Sequence, residues 1–426
     1  MTDRRLHFEL ERRQLSNGLD VVVAPDPSLP IVGVNLWYGV GSKNERQGMT
    51  GFAHLFEHMM FQGSAHVPKN GHFDLIERAG GSLNASTSFD RTNYFETLPS
   101  HNLDLALWLE SDRMGFMLPA MTQEKLDNQR DVVKNEKRQR YDNQPYGDWI
   151  ERMLGLLWPE DHPYAHTVIG SMEDIDAATL EDVSEFFATF YVPNNATLTI
   201  AGDVEVEHAF ARAEHWFGEI PKGADIPGLP GRADVPIPMD APTRADVTAD
   251  VPLPRVMIGL RIPPVTSPQA PAIELASQAL GSGRASRLYR NLVRPGLMRD
   301  AFAYAFPLTA GGAMLMAGGT GFPDSDPADL ERLVTDQLGG LADISQPELN
   351  RALALEEARV AQSMEHIGTR ADRISANTRI FDRPERITQE LEELRGVTLD
   401  QIRQVGEKYL ATPNRAVLSY RPGDAA

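Results

Sequence analysis

The chain has no cysteine among its 426 residues. That excludes disulfide bonds and thiolate metal sites, so any metal must be held by histidine and carboxylate. Positive charge is also short: 41 Lys and Arg stand against 60 Asp and Glu, a formal net charge of −19. Nucleic acid needs clustered Lys and Arg to neutralise its phosphates, so no nucleic-acid partner is expected. Neutral or basic peptides suit this charge better. The opening heptapeptide, Met1-Thr2-Asp3-Arg4-Arg5-Leu6-His7, has no apolar h-region of a signal peptide. The expected location is the cytoplasm, with the periplasm left open, because a cysteine-free chain suits a reducing or an oxidising compartment. Long apolar runs are scarce. The uncharged stretch 301–322 could span a bilayer by length. It is interrupted by Pro307, Gly311, Gly312, Gly318, Gly319 and Gly321. It reads instead as two buried strands, 301–308 and 313–318, and no membrane span is expected.

A chain of this length exceeds one ordinary core and suggests two domains. Proline and glycine concentrate between Pro221 and Pro242. That density prevents regular helix and reads as a linker. The expected division is a first domain at 1–220, the linker at 221–242 and a second domain at 243–426. The halves look related. Tyr191-Val192-Pro193-Asn194-Asn195-Ala196 and Tyr409-Leu410-Ala411-Thr412-Pro413-Asn414 each follow an apparent helix (180–190, 399–410). Each leads into an apolar strand ending near Gly-Asp (Gly202-Asp203, Gly423-Asp424). In the first half, strands are expected at 19–24, 31–38, 82–87 and 92–98, and helices at 51–61, 73–79, 103–117 and 123–140. Strands mixed with helix pairs, without strict βαβ alternation, point to an α+β fold.

The segment 51–61 contains His54-Leu55-Phe56-Glu57-His58. Histidines at i and i+4 share one face of a helix, so both imidazoles can reach one ion. Zinc is the usual occupant of such a pair. Glu57 projects to the same side, where a carboxylate can take a proton from a water at the metal. The order His-x-x-Glu-His is the inverted zinc-peptidase motif. The competing reading is two polar histidines on a half-buried helix, with Glu57 pairing to one of them. A zinc site needs a third protein ligand. The candidate is Glu136, which follows Val132 and Val133 at i−4 and i−3 and so sits on an apolar helix face. A carboxylate there needs a partner or a metal. The competing reading is a solvated glutamate.

Taken with its surroundings, the chain resembles the pitrilysin / insulin-degrading-enzyme / mitochondrial-processing-peptidase family of inverted-motif zinc metallopeptidases, as a short two-domain bacterial-type subunit. The residues that carry the resemblance are Gly51–Ser64, Gly80-Gly81-Ser82-Leu83-Asn84-Ala85-Ser86-Thr87, Val132–Glu136, His162-Pro163-Tyr164 and Tyr191–Ala196. The resemblance implies two homologous α/β-sandwich domains, each a mixed, mainly antiparallel sheet with helices packed on one face. It implies one Zn²⁺ per chain, held by His54, His58 and Glu136, with Glu57 as general base. It implies that a peptide substrate adds as a strand beside Leu83, Asn84, Ala85, Ser86 and Thr87. The activity implied is endopeptidase cleavage of oligopeptides or unfolded segments.

The chain departs from that family in two places. Active members also use an arginine and a tyrosine seven residues apart to hold the oxyanion. Seven residues before Tyr289, Tyr304, Tyr409 and Tyr420 stand Ser282, Leu297, Ile402 and Pro413. A heterodimer, with a homologous subunit supplying the Arg/Tyr pair, is therefore preferred to a homodimer or a monomer that uses Arg284, Arg287 or Tyr304 instead. Gln129 stands where the family often has a glutamate supporting the metal site, and it brings hydrogen bonds without charge. A non-catalytic scaffold or a peptide-binding subunit is the alternative function.

Overall fold

The computed structural model describes residues 8–423. The opening heptapeptide and Asp424 lie outside the described residues. Two compact units emerge, each built on one sheet.

The first unit contains the described residues up to Asn135, Thr167–Pro230 and Ala361–Glu390. Its strands are β1 (Glu11–Gln14), β2 (Asp20–Pro25), β3 (Ile31–Tyr38), β4 (Ser82–Thr87), β5 (Thr92–Pro99) and β6 (Ala196–Gly202), in the order β1-β2-β6-β3-β5-β4. β3 is rich in Val, aromatic and Leu residues and is buried almost throughout, as a central strand must be. β4 pairs only with β5, so it forms one edge. Along β5, side chains alternate between the two faces. Tyr94 and Glu96 meet Arg113 of the helix Leu103–Phe116. Asn93, the residue before Tyr94, turns the other way and donates to Asp372 of the helix Ile367–Phe381 at 2.9 Å. The expected helix layer is therefore present on one face, and a helix from far along the chain covers the other.

The second unit contains Glu136–His166, Gly231–Val360 and the described residues from Leu391 on. Its strands are β7 (Thr243–Ala249), β8 (Arg255–Ile262), β9 (Asp300–Phe306), β10 (Ala313–Thr320) and β11 (Ala416–Pro422), in the order β7-β11-β8-β10-β9. This repeats β2-β6-β3-β5-β4. In each unit the first of these strands lies parallel to the last, and the last lies antiparallel to the second. The uncharged stretch 301–322 supplies β9 and β10. β10 is buried along its whole length, whereas β9 is half exposed because it is the sheet edge. Among the described residues no helix is long and apolar enough to cross a membrane.

The two units do not follow the division 1–220 and 243–426. The helix Trp149–Leu157, from the first half of the chain, packs on β11, β7 and β8. The helix Ile367–Phe381, from the second half, packs on β3 and β6. Strand glycines accommodate both. A Cβ on Gly33 would stand 3.3 Å from the Ile367 backbone, and one on Gly259 would stand 2.6 Å from the Met153 sulfur. The segment 221–242 is irregular, and the units divide inside it, between Pro230 and Gly231.

Candidate metal centre

The motif helix runs from Phe52 to Met59, two residues shorter at its end than expected. Phe52, Ala53, Leu55, Phe56 and Met59 are buried. Phe56 stacks on Phe186 and on Tyr191, with ring centroids 5.3 Å apart in each case. Burying that face turns His54, Glu57 and His58 the other way. Gly51 starts the helix in the left-handed region (φ 89°), and a Cβ there would lie 2.5 Å from the Ile169 carbonyl oxygen. Only glycine fits.

Gly51 offers no capping side chain. The carboxylate of Glu45 takes that place, accepting from the Gly51 and Ala53 amides at 2.8 Å each. Burial pushes the Glu45 carboxyl well above the ordinary carboxylate range, and these two N–H groups act against that. Asp174 secures the preceding residue by accepting from the Thr50 amide and hydroxyl at 2.9 and 2.6 Å.

Glu136 lies in the last turn of the helix Gln123–Lys137, most of which belongs to the first unit. Val133 is buried, but Val132 is 39% exposed, so the apolar face is narrower than the sequence suggested. The backbone then widens into a π-turn over Arg138–Asp142 rather than continuing as α-helix to 140. One ligand atom each from His54, His58 and Glu136 lies within 4.8 Å of the others. The two imidazole rings are 4.8 Å apart and nearly perpendicular. Bonds of about 2.0–2.2 Å from one zinc ion keep its ligands within ~4 Å of each other, so small side-chain rotations close the set. Two imidazoles, one carboxylate and a fourth position for water are a donor set that zinc takes, and the residues fit the ion. Arg140 pairs with Glu136 at 2.7 Å from a side chain that is 73% exposed.

Glu57 Oε2 accepts from the Thr87 hydroxyl at 2.6 Å. Thr87 ends β4, so the edge strand and the motif helix meet at this bond. The Ser88 amide bonds to the Arg91 carbonyl. Alternation along the antiparallel pair then turns the backbone groups of Leu83, Ala85 and Thr87 toward the open edge. The Ala85 amide is met there by Asn84 Oδ1 at 2.9 Å. Ser86 points inward, its carbonyl and hydroxyl both accepting from Arg91. Gln129 is buried and donates to Asn128, and none of its hydrogen bonds reaches His54, His58 or Glu136.

Residues 20–157 match the family model for insulinase, peptidase family M16, and residues 177–355 match the model for the peptidase M16 inactive domain. A curated relative, the zinc protease PqqE of Helicobacter pylori, is 32% identical over 357 residues, covering 82% of this chain and 79% of that protein. The chain belongs to the insulinase family. Within the family it is 28% identical to the beta subunit of the mitochondrial-processing peptidase of Blastocladiella emersonii, over 50% of this chain and 44% of that one. The crystal structure of a protease from Helicobacter pylori superposes with a TM-score of 0.90 at 28% identity, covering 98% of this chain and all of that one. The motif helix and Glu136 fall in the stretch matched by the insulinase model. The stretch matched by the inactive domain has no second copy of the motif.

The three alternative oxyanion donors belong to the second unit. Arg287 is committed there to Glu348 and to the carbonyls of Gly340 and Asp343. Arg284 donates to the Tyr289 hydroxyl at 3.1 Å. Tyr304 is 36% exposed on the edge strand β9. Sequence reasoning missed Glu45 and the pairing of Thr87 with Glu57. Neither has a local signal, because six and thirty residues separate the partners.

Proposed function

We propose that this insulinase-family chain is a zinc-dependent endopeptidase subunit that cleaves oligopeptides or unfolded segments. The observation that carries this reading is the convergence of His54, His58 and Glu136 beside Glu57. His54, His58 and Glu136 would hold a zinc ion, which would act there as a Lewis acid toward a peptide carbonyl and a water. Glu57 takes the proton from the attacking water and passes it to the leaving amine nitrogen. The Thr87 hydroxyl, bonded to Oε2, orients the Glu57 carboxylate for that transfer. An extended peptide adds to the edge of β4, bonding to the outward groups of Leu83, Ala85 and Thr87. Gln129, bonded to Asn128, leaves support of the ligands to other groups.

The oxyanion donor comes from a homologous partner that carries the Arg/Tyr pair. The absence of an Arg-x₆-Tyr pair in the second half and the commitment of Arg287 to Glu348 support this. A relative named as a subunit supports it too. The test is zinc content and peptidase rate of the purified chain, alone and mixed with a homologue bearing the pair. Zinc with activity only in the mixture is the expected result. Full activity alone would replace the heterodimer with a self-sufficient enzyme. Neither zinc nor activity would leave the scaffold reading.

A further inference from the structure

We infer that Glu45 is the positioning residue of the metal-binding helix: its buried carboxylate replaces the missing N-terminal cap and fixes where His54, Glu57 and His58 stand. The inference goes beyond the proposed activity, and it rests on that reading only in treating Phe52–Met59 as the helix that holds the metal.

The argument starts from length. Phe52–Met59 is two turns long. A helix that short has little stability of its own, so its ends and its packing decide its place. The first N–H groups of any helix lack internal partners and carry the positive end of its dipole. A preceding Ser, Thr, Asp or Asn ordinarily answers them. Here the preceding residue is Gly51, required by its backbone conformation and by the close approach of Ile169. The side chain that answers comes from six residues upstream, and it is 4% exposed. Its two oxygens take two different amides, Gly51 and Ala53. A bidentate carboxylate fixes the direction of the helix start as well as its position.

Glu45 is itself anchored. It follows the turn Ser42–Asn44, in which the Gly41 amide donates to Asn44 Oδ1 at 3.1 Å. The Ser42 and Lys43 amides bond to the Ser88 and Phe89 carbonyls, and Lys43 pairs with Asp90 at 3.0 Å. These partners form the tip of the β4–β5 hairpin. The same hairpin carries Thr87, which bonds to Glu57. One rigid hairpin thus holds the motif helix twice: at its start through Glu45 and at its base residue through Thr87. Asp174 holds Thr50 but accepts from neither Gly51 nor Ala53. Removing Glu45 therefore leaves two buried amides unanswered and frees the helix start. Both imidazoles then move relative to Glu136, which stands on a different helix.

The test compares Glu45→Ala and Glu45→Gln with the wild-type chain by amide hydrogen exchange and by zinc affinity in chelator competition. The expected result for Glu45→Ala is faster exchange at Ala53, by about tenfold or more, with zinc affinity reduced by a similar factor. Exchange at Val34 and Leu36 in β3 should stay unchanged. Glu45→Gln keeps the shape and one acceptor oxygen, so it should recover part of both losses. Wild-type protection at Ala53 in Glu45→Ala overturns the inference, as does wild-type zinc affinity with altered protection. Should Glu45→Ala not fold, Glu45→Gln decides: unchanged exchange at Ala53 overturns the inference. A wild-type chain that takes up no zinc removes the proposed activity, and the exchange comparison still settles the role of Glu45.

Discussion

The hydroxyl of Thr87 donates to Oε2 of Glu57 at 2.6 Å, joining the last residue of the edge strand to the carboxylate between two histidines. That bond fixes the orientation of the Glu57 carboxylate beside the two imidazoles. On the proposed function, it joins the peptide-capturing strand to the general base. Thr87→Val keeps the shape and removes the donor. The expected outcome is a kcat lower by about tenfold with KM within twofold of wild type, the size of one charge-assisted hydrogen bond. Thr87→Ser should restore most of the rate. Steady-state kinetics on a fluorogenic peptide checks this, and a rise in KM alone would assign Thr87 to binding.

Glu57→Gln separates catalysis from capture. The amide is nearly isosteric but cannot take a proton from water. Turnover should fall by roughly a hundred- to ten-thousand-fold, the usual worth of a general base. Zinc content and affinity for an uncleaved peptide should be retained. Metal analysis together with a direct binding titration checks this. Surviving cleavage would assign the proton transfer to another residue.

The motif helix was legible because its signal is local: three chemically special residues at helical spacing within five positions. The repeat was legible too, since the Pro-Asn turns before β6 and β11 lead into strands with the same neighbours. The exchange of helices was not. An amphipathic pattern shows that a helix is buried on one side, and it does not show which sheet receives it. The helix Ile367–Phe381 also looks solvent-facing where it is docked. Ser375 bonds to Thr199 at 2.8 Å and Arg379 to Asn195 at 2.9 Å, so polar side chains meet polar strand residues instead of leucines. The unit boundary between Asn135 and Glu136 falls within one continuous helix, where composition gives no mark.

His72 gives the first unit a sensitivity to mild acid. The ring is fully buried, with Nε2 facing the Leu109 carbonyl at 3.4 Å. Burial, reinforced by the positive charge of Arg113, lowers its pKa to about 4. Unfolded, it titrates near ~6.5. Between those values the unfolded chain binds the extra proton, so stability is complete above the unfolded value and falls as pH drops toward the folded one. The loss is on the order of 3 kcal/mol across that window. His72→Gln should flatten it. Urea midpoints at about pH 7.5 and pH 4.5, wild type against variant, measure the difference, and equal drops in both would remove His72 as the source.

Gly259 tests whether the helix Trp149–Leu157 rests on β8. An added Cβ would stand 2.6 Å from the Met153 sulfur and 3.0 Å from a Leu157 methyl carbon. Those atoms are ends of flexible side chains, so one carbon can be absorbed and a branched side chain cannot. Gly259→Leu should lower stability by about 2–3 kcal/mol through overpacking, while Gly259→Ala stays within ~1 kcal/mol of wild type. Met153 fills the space that the new leucine needs. Truncating it in the same chain, Met153→Ala with Gly259→Leu, should therefore cost less than the sum of the two single changes. Denaturant melts of the four proteins give the coupling directly. A strictly additive result would mean that Met153 and position 259 do not share the space between this helix and this strand.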